Sequence, residues 1–351
     1  MEKHLIKMPS IGQYNVVVKD IQHQARYAGQ DENDEAIFNR SAKLPTLTFK
    51  GTVKLHGTNA SVCMNKDGEL WAQSKGNIIT PEKDNAGFAM FVEKNREHFT
   101  LHLGDMFKVN PEMTEVCVYG EWAGKGIQKG VAISELQKTF YMFGTKFLVQ
   151  DEDDYRWAKD TELVLSVIAK NGEDTIKSIF DFETYEIEID FENPKDKQNE
   201  MIKITDEIDK VCPVAKELGV VGHGEGVVWN AWFNDTRHTF KIKGESHANS
   251  KVKTLKPVDE EFENRKREFA NYATPAWRLE QAVQEVCDTL NGGVPDIKQM
   301  GQVIKWVMGD IVKEEILVLA DRDLTVKDIS KSVSDIVRRW YQEMLNSLVG
   351  L

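Results

Sequence analysis

Lys54-Leu55-His56-Gly57-Thr58-Asn59 lies between two apolar, β-branched runs, Leu47-Thr48-Phe49-Lys50-Gly51-Thr52-Val53 and Ala60-Ser61-Val62-Cys63-Met64. Runs of this kind, bounded by turn residues, read as strands. The lysine therefore leaves one strand with a His, a Gly and an Asn packed close behind it. Lysine is rarely fully buried unless it is paired or has a chemical task. Taken alone, Lys54 reads as a surface residue at a strand end, and its significance depends on what the rest of the chain brings to it. Asn65-Lys66-Asp67-Gly68 is a turn, and Glu69-Leu70-Trp71-Ala72-Gln73 reads as the returning strand of a hairpin with Lys54 at its entrance.

A chain of 351 residues suggests about two domains. With 41% hydrophobic and 29% charged residues it has the balance of a soluble globular protein. No apolar run approaches the roughly 20 residues of a membrane helix, and Met1-Glu2-Lys3-His4-Leu5-Ile6-Lys7 lacks the apolar core of a secretory signal. Cys63, Cys117, Cys212 and Cys287 form no CxxC pair, which points to a reducing, cytosolic setting and away from structural zinc. The net charge of −12 disfavours nucleic acid on average. A phosphate-binding groove needs only one basic face, however. Between Thr236 and Lys256 lie Arg237, Lys241, Lys243, Lys251, Lys253 and Lys256 against a single acid, Glu245.

Along the chain, Tyr14-Asn15-Val16-Val17-Val18 reads as a short strand and residues 87–96 as a helix. His98 and His102, four apart, have Phe99 where H-E-x-x-H needs a Glu and no third ligand nearby, and read as a weak metal pair. Val116 to Trp122 is a strand that ends in an acid, Glu121, and runs into the glycine-rich loop 123–130. That loop lacks P-loop spacing. Phe140 to Phe143 forms an aromatic strand. Tyr185, Ile187, Ile189 and Phe191 alternate with acids, the period of a strand with one solvated face. The glycines of 222–226 fall at the wrong intervals for a dinucleotide loop, and Glu225 instead opens a strand, Val227-Val228-Trp229. In the next strand, Thr239 to Lys243, alternation puts Lys241 and Lys243 on one face, where they repel unless an anion lies between them. From residue 258 the pattern is helical. Thr274-Pro275 reads as a helix start, Asn291-Gly292-Gly293 as its stop, and Thr325 as the cap of the last helix. This predicts domains at 1–250 and 258–351, the second all-helical.

Lys54, Glu121, Phe143, Glu225, Lys241 and Lys243 together suit nucleotidyl transfer. A lysine amine can attack an α-phosphate once neighbouring cations ease loss of its proton. Carboxylates orient a ribose and hold a divalent metal, a ring stacks on a base, and paired lysines hold phosphate oxygens.

These residues resemble the covalent nucleotidyltransferase superfamily, most closely the RNA ligase 2 family of phage nick-sealing ligases and kinetoplastid RNA-editing ligases. The family's K-x-H-G-x-N is matched by Lys54, His56, Gly57 and Asn59, and its glycine-rich block by Tyr119 to Lys129. The aromatic motif is similar to Phe140 to Phe143, and the last two motifs to Glu225-Gly226-Val227-Val228 and Lys241-Ile242-Lys243. The matched motifs span residues 47–245. The resemblance implies an α+β fold, with a nucleotidyltransferase (ATP-grasp-like ligase) domain of antiparallel sheets and flanking helices plus a small all-α C-terminal domain. It also implies an ATP-dependent RNA ligase that seals 3′-hydroxyl/5′-phosphate breaks, most readily nicks in duplex RNA, through AMP carried on Lys54. Glu121 would then contact the ribose, Phe143 the adenine, Lys241 and Lys243 the phosphates, and Glu225 a Mg2+ or Mn2+ ion, while His56 and Asn59 serve the later steps. A cytoplasmic monomer of phage or bacterial-host type is expected. Joining of single-stranded or hairpin RNA ends or of DNA, and a catalytically inactive nucleic-acid-binding relative, remain as alternatives. A capping guanylyltransferase is disfavoured, because helices and not a strand-rich barrel follow the last motif. Three positions depart from the pattern: Gly144 where relatives often have Asp, Ser74-Lys75 where an Arg is usual (Lys75 being the nearest substitute), and Val53 where some have an acid.

Overall fold

Tyr14, Val17, Val18 and Ile21 are buried while Asn15, Val16 and Lys19 are exposed, a spacing of three and four that belongs to a helix. In the computed structural model, which describes residues 3–247, 255–290 and 292–349, this segment is accordingly helix α1 (Tyr14–Arg26) and not the expected strand. The valine run suggested β structure, but packing on one face decided otherwise. Lys251 and Lys253 of the basic stretch and Asn291 of the expected helix stop lie outside the described residues.

After α1 come the small hairpin β1 (Tyr27–Gln30) and β2 (Ala36–Phe38), then β3 (Thr46–Lys54), β4 (Thr58–Asn65), β5 (Leu70–Ser74) and β6 (Ile78–Ile79). Two helices, Phe88–Lys94 and Arg96–Val109, lead to β7 (Met113–Ala123) and β8 (Thr139–Val149). The remaining strands are β9 (Arg156–Trp157), β10 (Ile176–Ser178), β11 (Thr184–Asp190), β12 (Gly226–Phe233) and β13 (Thr236–Lys243). One sheet runs β10-β8-β7-β4-β5-β6, with β9 alongside β8, and is antiparallel except at β10–β8. A second runs β11-β3-β12-β13. The expected α+β class holds.

The chain divides into two compact units. One comprises residues 1–17, 47–189 and 197–256, the other residues 18–46, 190–196 and 257–351. In the first, Val62, Val116, Val118, Phe140 and Met142 face Phe88, Phe99 and Leu103 of the flanking helices in one cluster. Each such side chain contributes about 1.5–3 kcal/mol on burial. In the second, Ile329, Val333, Val337 and Tyr341 recur every four residues along the Val326–Val349 helix and pack on Val303, Val307 and Ile311. Thr274 does not cap the following helix: its hydroxyl donates back to the Ala270 carbonyl at 2.7 Å. At Thr325 the cap runs in reverse, since the Asp328 carboxylate accepts from both its N–H and its hydroxyl.

Candidate active site

Lys54 is the last residue of β3, and its backbone pairs with Gly226 of β12, which pairs in turn with Lys243 of β13. Leu55, His56 and Gly57 then carry the chain from the four-stranded sheet to β4 of the larger one. Gly57 is needed at this crossing because a Cβ there would sit 2.4 Å from the Trp122 carbonyl oxygen. Its N–H donates to the Glu121 carboxylate at 2.9 Å, and the Gln128 side-chain amide donates to its carbonyl at 3.2 Å. The glycine-rich loop thus grips the lysine motif directly. On the larger sheet Asn59, Glu121 and Tyr141 lie opposite one another on β4, β7 and β8.

Glu225, 1% exposed at its side chain, is the electrostatic hub. Its carboxylate lies 2.6 Å from the ammoniums of both Lys54 and Lys243, and 3.4 Å from His56 Nδ1. Burial alone would raise its pKa, but the His56 contact and the two lysine charges hold it well below the usual carboxylate range. Glu121 behaves oppositely. Burial pushes its pKa up to about 7, against the pull of Lys54 and the Gly57 N–H. Burial also lowers the pKa of Lys241, with the charges of Lys54 and Lys243 adding to the effect.

A cavity of about 200 Å³ gathers Lys54, Asn59, Lys75, Glu121, Phe143 and Lys241 along its lining. Phe143 reaches it through a β-bulge: Tyr119 pairs with Gly144 and Gly120 with Met142, so Phe143 has no partner on β7. Lys75 is exposed at the rim. His56, Glu225 and Lys243 meet Lys54 through the carboxylate hub. All the candidate residues therefore converge on one place.

Sequence reading passes over several lining residues. Thr239 and Arg237 continue the Lys243/Lys241 face of β13 by simple alternation, a signal sufficient to find them. Asn230 pairs with Thr239, accepting its hydroxyl hydrogen at 2.8 Å. Met8 to Ile11 also line the cavity, and no motif marks them. The Gly144 departure has a packing cause. A Cβ at 144 would lie 2.8 Å from the Trp157 ring and 3.2 Å from an Arg237 guanidinium nitrogen. That guanidinium sits 4.2 Å over the Trp157 ring, and burial pushes its pKa down to about 10.

Mg2+-like ions are commonly held by one or two carboxylates together with substrate phosphates. Glu121 lines the cavity, and Glu225 supplies a second carboxylate whose two oxygens take the ammoniums of Lys54 and Lys243, so an ion held there would displace one of them. Among the described residues no cluster of three or more His, Cys, Asp or Glu could hold an ion by itself, and the rings of His98 and His102, 4.5 Å apart, have no such company.

The sequence pattern of the family described as RNA ligase matches residues 48–243, more than half of the chain. The chain belongs to the RNA ligase family. No curated protein matches it. Among solved structures, this RNA ligase family member is similar to Naegleria gruberi RNA ligase with PPi, at 15% identity and a TM-score of 0.44. It is similar also to two mutants of that protein, one with ATP and Mn (14%, 0.43) and one with AMP and Mn (15%, 0.43). Each match covers 69% of this chain and 57% of the other, so the chain spans little more than half the length of the structures it matches. Among the described residues no helix is long and apolar enough to cross a membrane.

Proposed function

We propose that this protein is an ATP-dependent RNA ligase of the RNA ligase 2 type, a monomer that seals 3′-hydroxyl/5′-phosphate nicks in duplex RNA. The observation that carries the reading is the position of Lys54. Its amine lines the same cavity as Glu121, Phe143 and Lys241 and is held at 2.6 Å by a carboxylate shared with Lys243.

The Lys54 amine, having lost a proton, attacks the α-phosphorus of ATP. A P–N bond forms and the P–O bond to pyrophosphate breaks, leaving AMP on the lysine. Lys241 and Lys243 hold the phosphate oxygens and so favour the charge that develops there. Glu121 accepts from the ribose hydroxyls, and Phe143 stacks on the adenine. A divalent cation, Mg2+ or Mn2+, would be held by Glu225 with Glu121 near it and would neutralise phosphate charge when bound. AMP then passes to a 5′-phosphate, and a 3′-hydroxyl displaces it as the new phosphodiester forms. His56 and Asn59 serve these later steps, with Lys75 at the rim where the strand ends arrive.

Labelled ATP and magnesium test the first step. Wild-type protein should form a labelled adduct that survives denaturation and alkali but is released by hot acid, as a P–N bond requires, and Lys54→Ala protein none; such an adduct on the variant would remove Lys54 as nucleophile. Matched nicked RNA, DNA and hybrid duplexes, with single-stranded and hairpin RNA beside them, then identify the strand and the break.

A further inference from the structure

A second concavity, of about 460 Å³, opens within the unit that contains residues 257–351. Lys19, His23 and Arg26 reach it at i, i+4 and i+7 of α1, which is one helical face. Arg40 follows β2, and Arg338 and Arg339 come from the last helix. Five permanent cations therefore meet here. Two acids answer them: Asp335 pairs with Arg338 of its own helix at 3.2 Å, and Glu192 pairs with Arg339. The Nε groups of Arg26 and Arg339 are buried without a hydrogen-bond partner. In a chain of net charge −12 this is a local excess of positive charge against the average. Like charges brought together from three segments repel unless an anion lies among them.

We propose that this cleft binds the phosphodiester backbone of an RNA strand. The proposal rests on the ligase reading above, which requires RNA to be held beyond the reacting ends. Four of the five cations are arginines, whose planar forks match phosphate oxygens in pairs. Lys19 to Arg26 spans about 10 Å of helix, several times the ~3.4 Å axial spacing of successive phosphates along one strand of duplex DNA. The row is therefore too long for a single small anion and of the right length for a strand.

The test uses the full chain carrying Lys19→Glu and Arg40→Glu together, both side chains being exposed. Binding of a labelled nicked RNA duplex, and of DNA of the same sequence, is read by fluorescence anisotropy from about 50 to 200 mM KCl. The variant should bind RNA at least roughly tenfold more weakly at the lowest salt. Its log K against log salt slope should be shallower by about 1.8, the value for two lost duplex phosphate contacts at about 0.9 each. Thermal midpoint and adduct formation with ATP alone should match wild type. Unchanged RNA affinity and slope would overturn the proposal and leave the cleft to an acidic protein surface. A loss confined to DNA would overturn RNA as the strand. Binding is also measured on Lys54→Ala protein, which needs no chemistry, so failure of adduct formation and failure of the cleft are separate results.

Discussion

The ammonium of Lys54 lies 2.6 Å from the carboxylate of Glu225, across the pairing of β3 with Gly226 on β12. The pair is nearly dry on the acid's side, with the two side chains 18% and 1% exposed. Removing one partner of a buried pair leaves the other charge uncompensated, at a cost of about 3–5 kcal/mol when burial is complete. Glu225 also answers Lys243. Glu225→Gln should therefore lower stability by about 2–3 kcal/mol in urea titrations and abolish adduct formation. Because the folded pKa of Glu225 lies below its ordinary 4.5, its contribution is full above that value and is lost as pH falls further. The variant should lack this acid-side loss.

Glu121 carries the opposite sign. Its folded pKa of about 7 exceeds the ordinary 4.5, so the native state holds the proton more tightly and stability falls as pH rises between those values. The ionised carboxylate accepts from ribose hydroxyls more strongly than the protonated acid does. ATP affinity should accordingly rise through about pH 7, and Glu121→Gln should remove that inflection. Calorimetric ATP titrations on either side of that pH read it, and an identical inflection in the variant would assign it elsewhere.

Gly226 joins the acid to the sheet with φ at +146°, and a Cβ there would lie 2.1 Å from the Ile242 carbonyl oxygen. Neither the dihedral nor the contact suits alanine. Gly226→Ala should cost about 3 kcal/mol or more, by analogy with strain at special backbone positions. It should also displace Glu225 from Lys54, so the adduct should be lost even where the protein stays folded by circular dichroism.

In the helical unit, Arg278 is 2% exposed and donates to Asp310 at 2.8 Å, to Glu315 at 2.9 Å and to the Ala273 carbonyl at 2.6 Å. Arg278→Ala leaves two carboxylates facing one another with no cation between them. A loss of about 3 kcal/mol is expected, or roughly 6–12 °C in the thermal midpoint of a unit of this size. A midpoint within about 2 °C of wild type in scanning calorimetry would show that the ion pairs contribute little.

Much of the site was legible because strand alternation is a local rule. Lys241 and Lys243 share a face for the same reason that Phe240 and Ile242 are buried. Gly57 and Gly226 stand out in sequence as glycines beside chemistry-bearing residues, and the structure supplies the contacts that require them. The valine run at Tyr14–Val18 misled, since β-branched residues prefer strands only weakly against the pull of a core on one helical face. Phe143 was legible as an aromatic but not as a bulged residue, because a register shift against β7 belongs to the pairing and not to either strand alone.

The sequence by itself determined the chemistry available: a lysine at a strand end, two acids, an aromatic and a lysine pair, each on an element whose period is written in its own residues. Tertiary structure alone decided what those groups became. It placed Glu225 between Lys54 and Lys243, 171 and 18 residues from it along the chain. It dried Glu121 until its pKa rose, packed Trp157 and Arg237 where Gly144 leaves room, and set α1 beside the last helix within one basic cleft. Burial and charge proximity are sums over neighbours from distant parts of the chain, so no local reading of the sequence contains them.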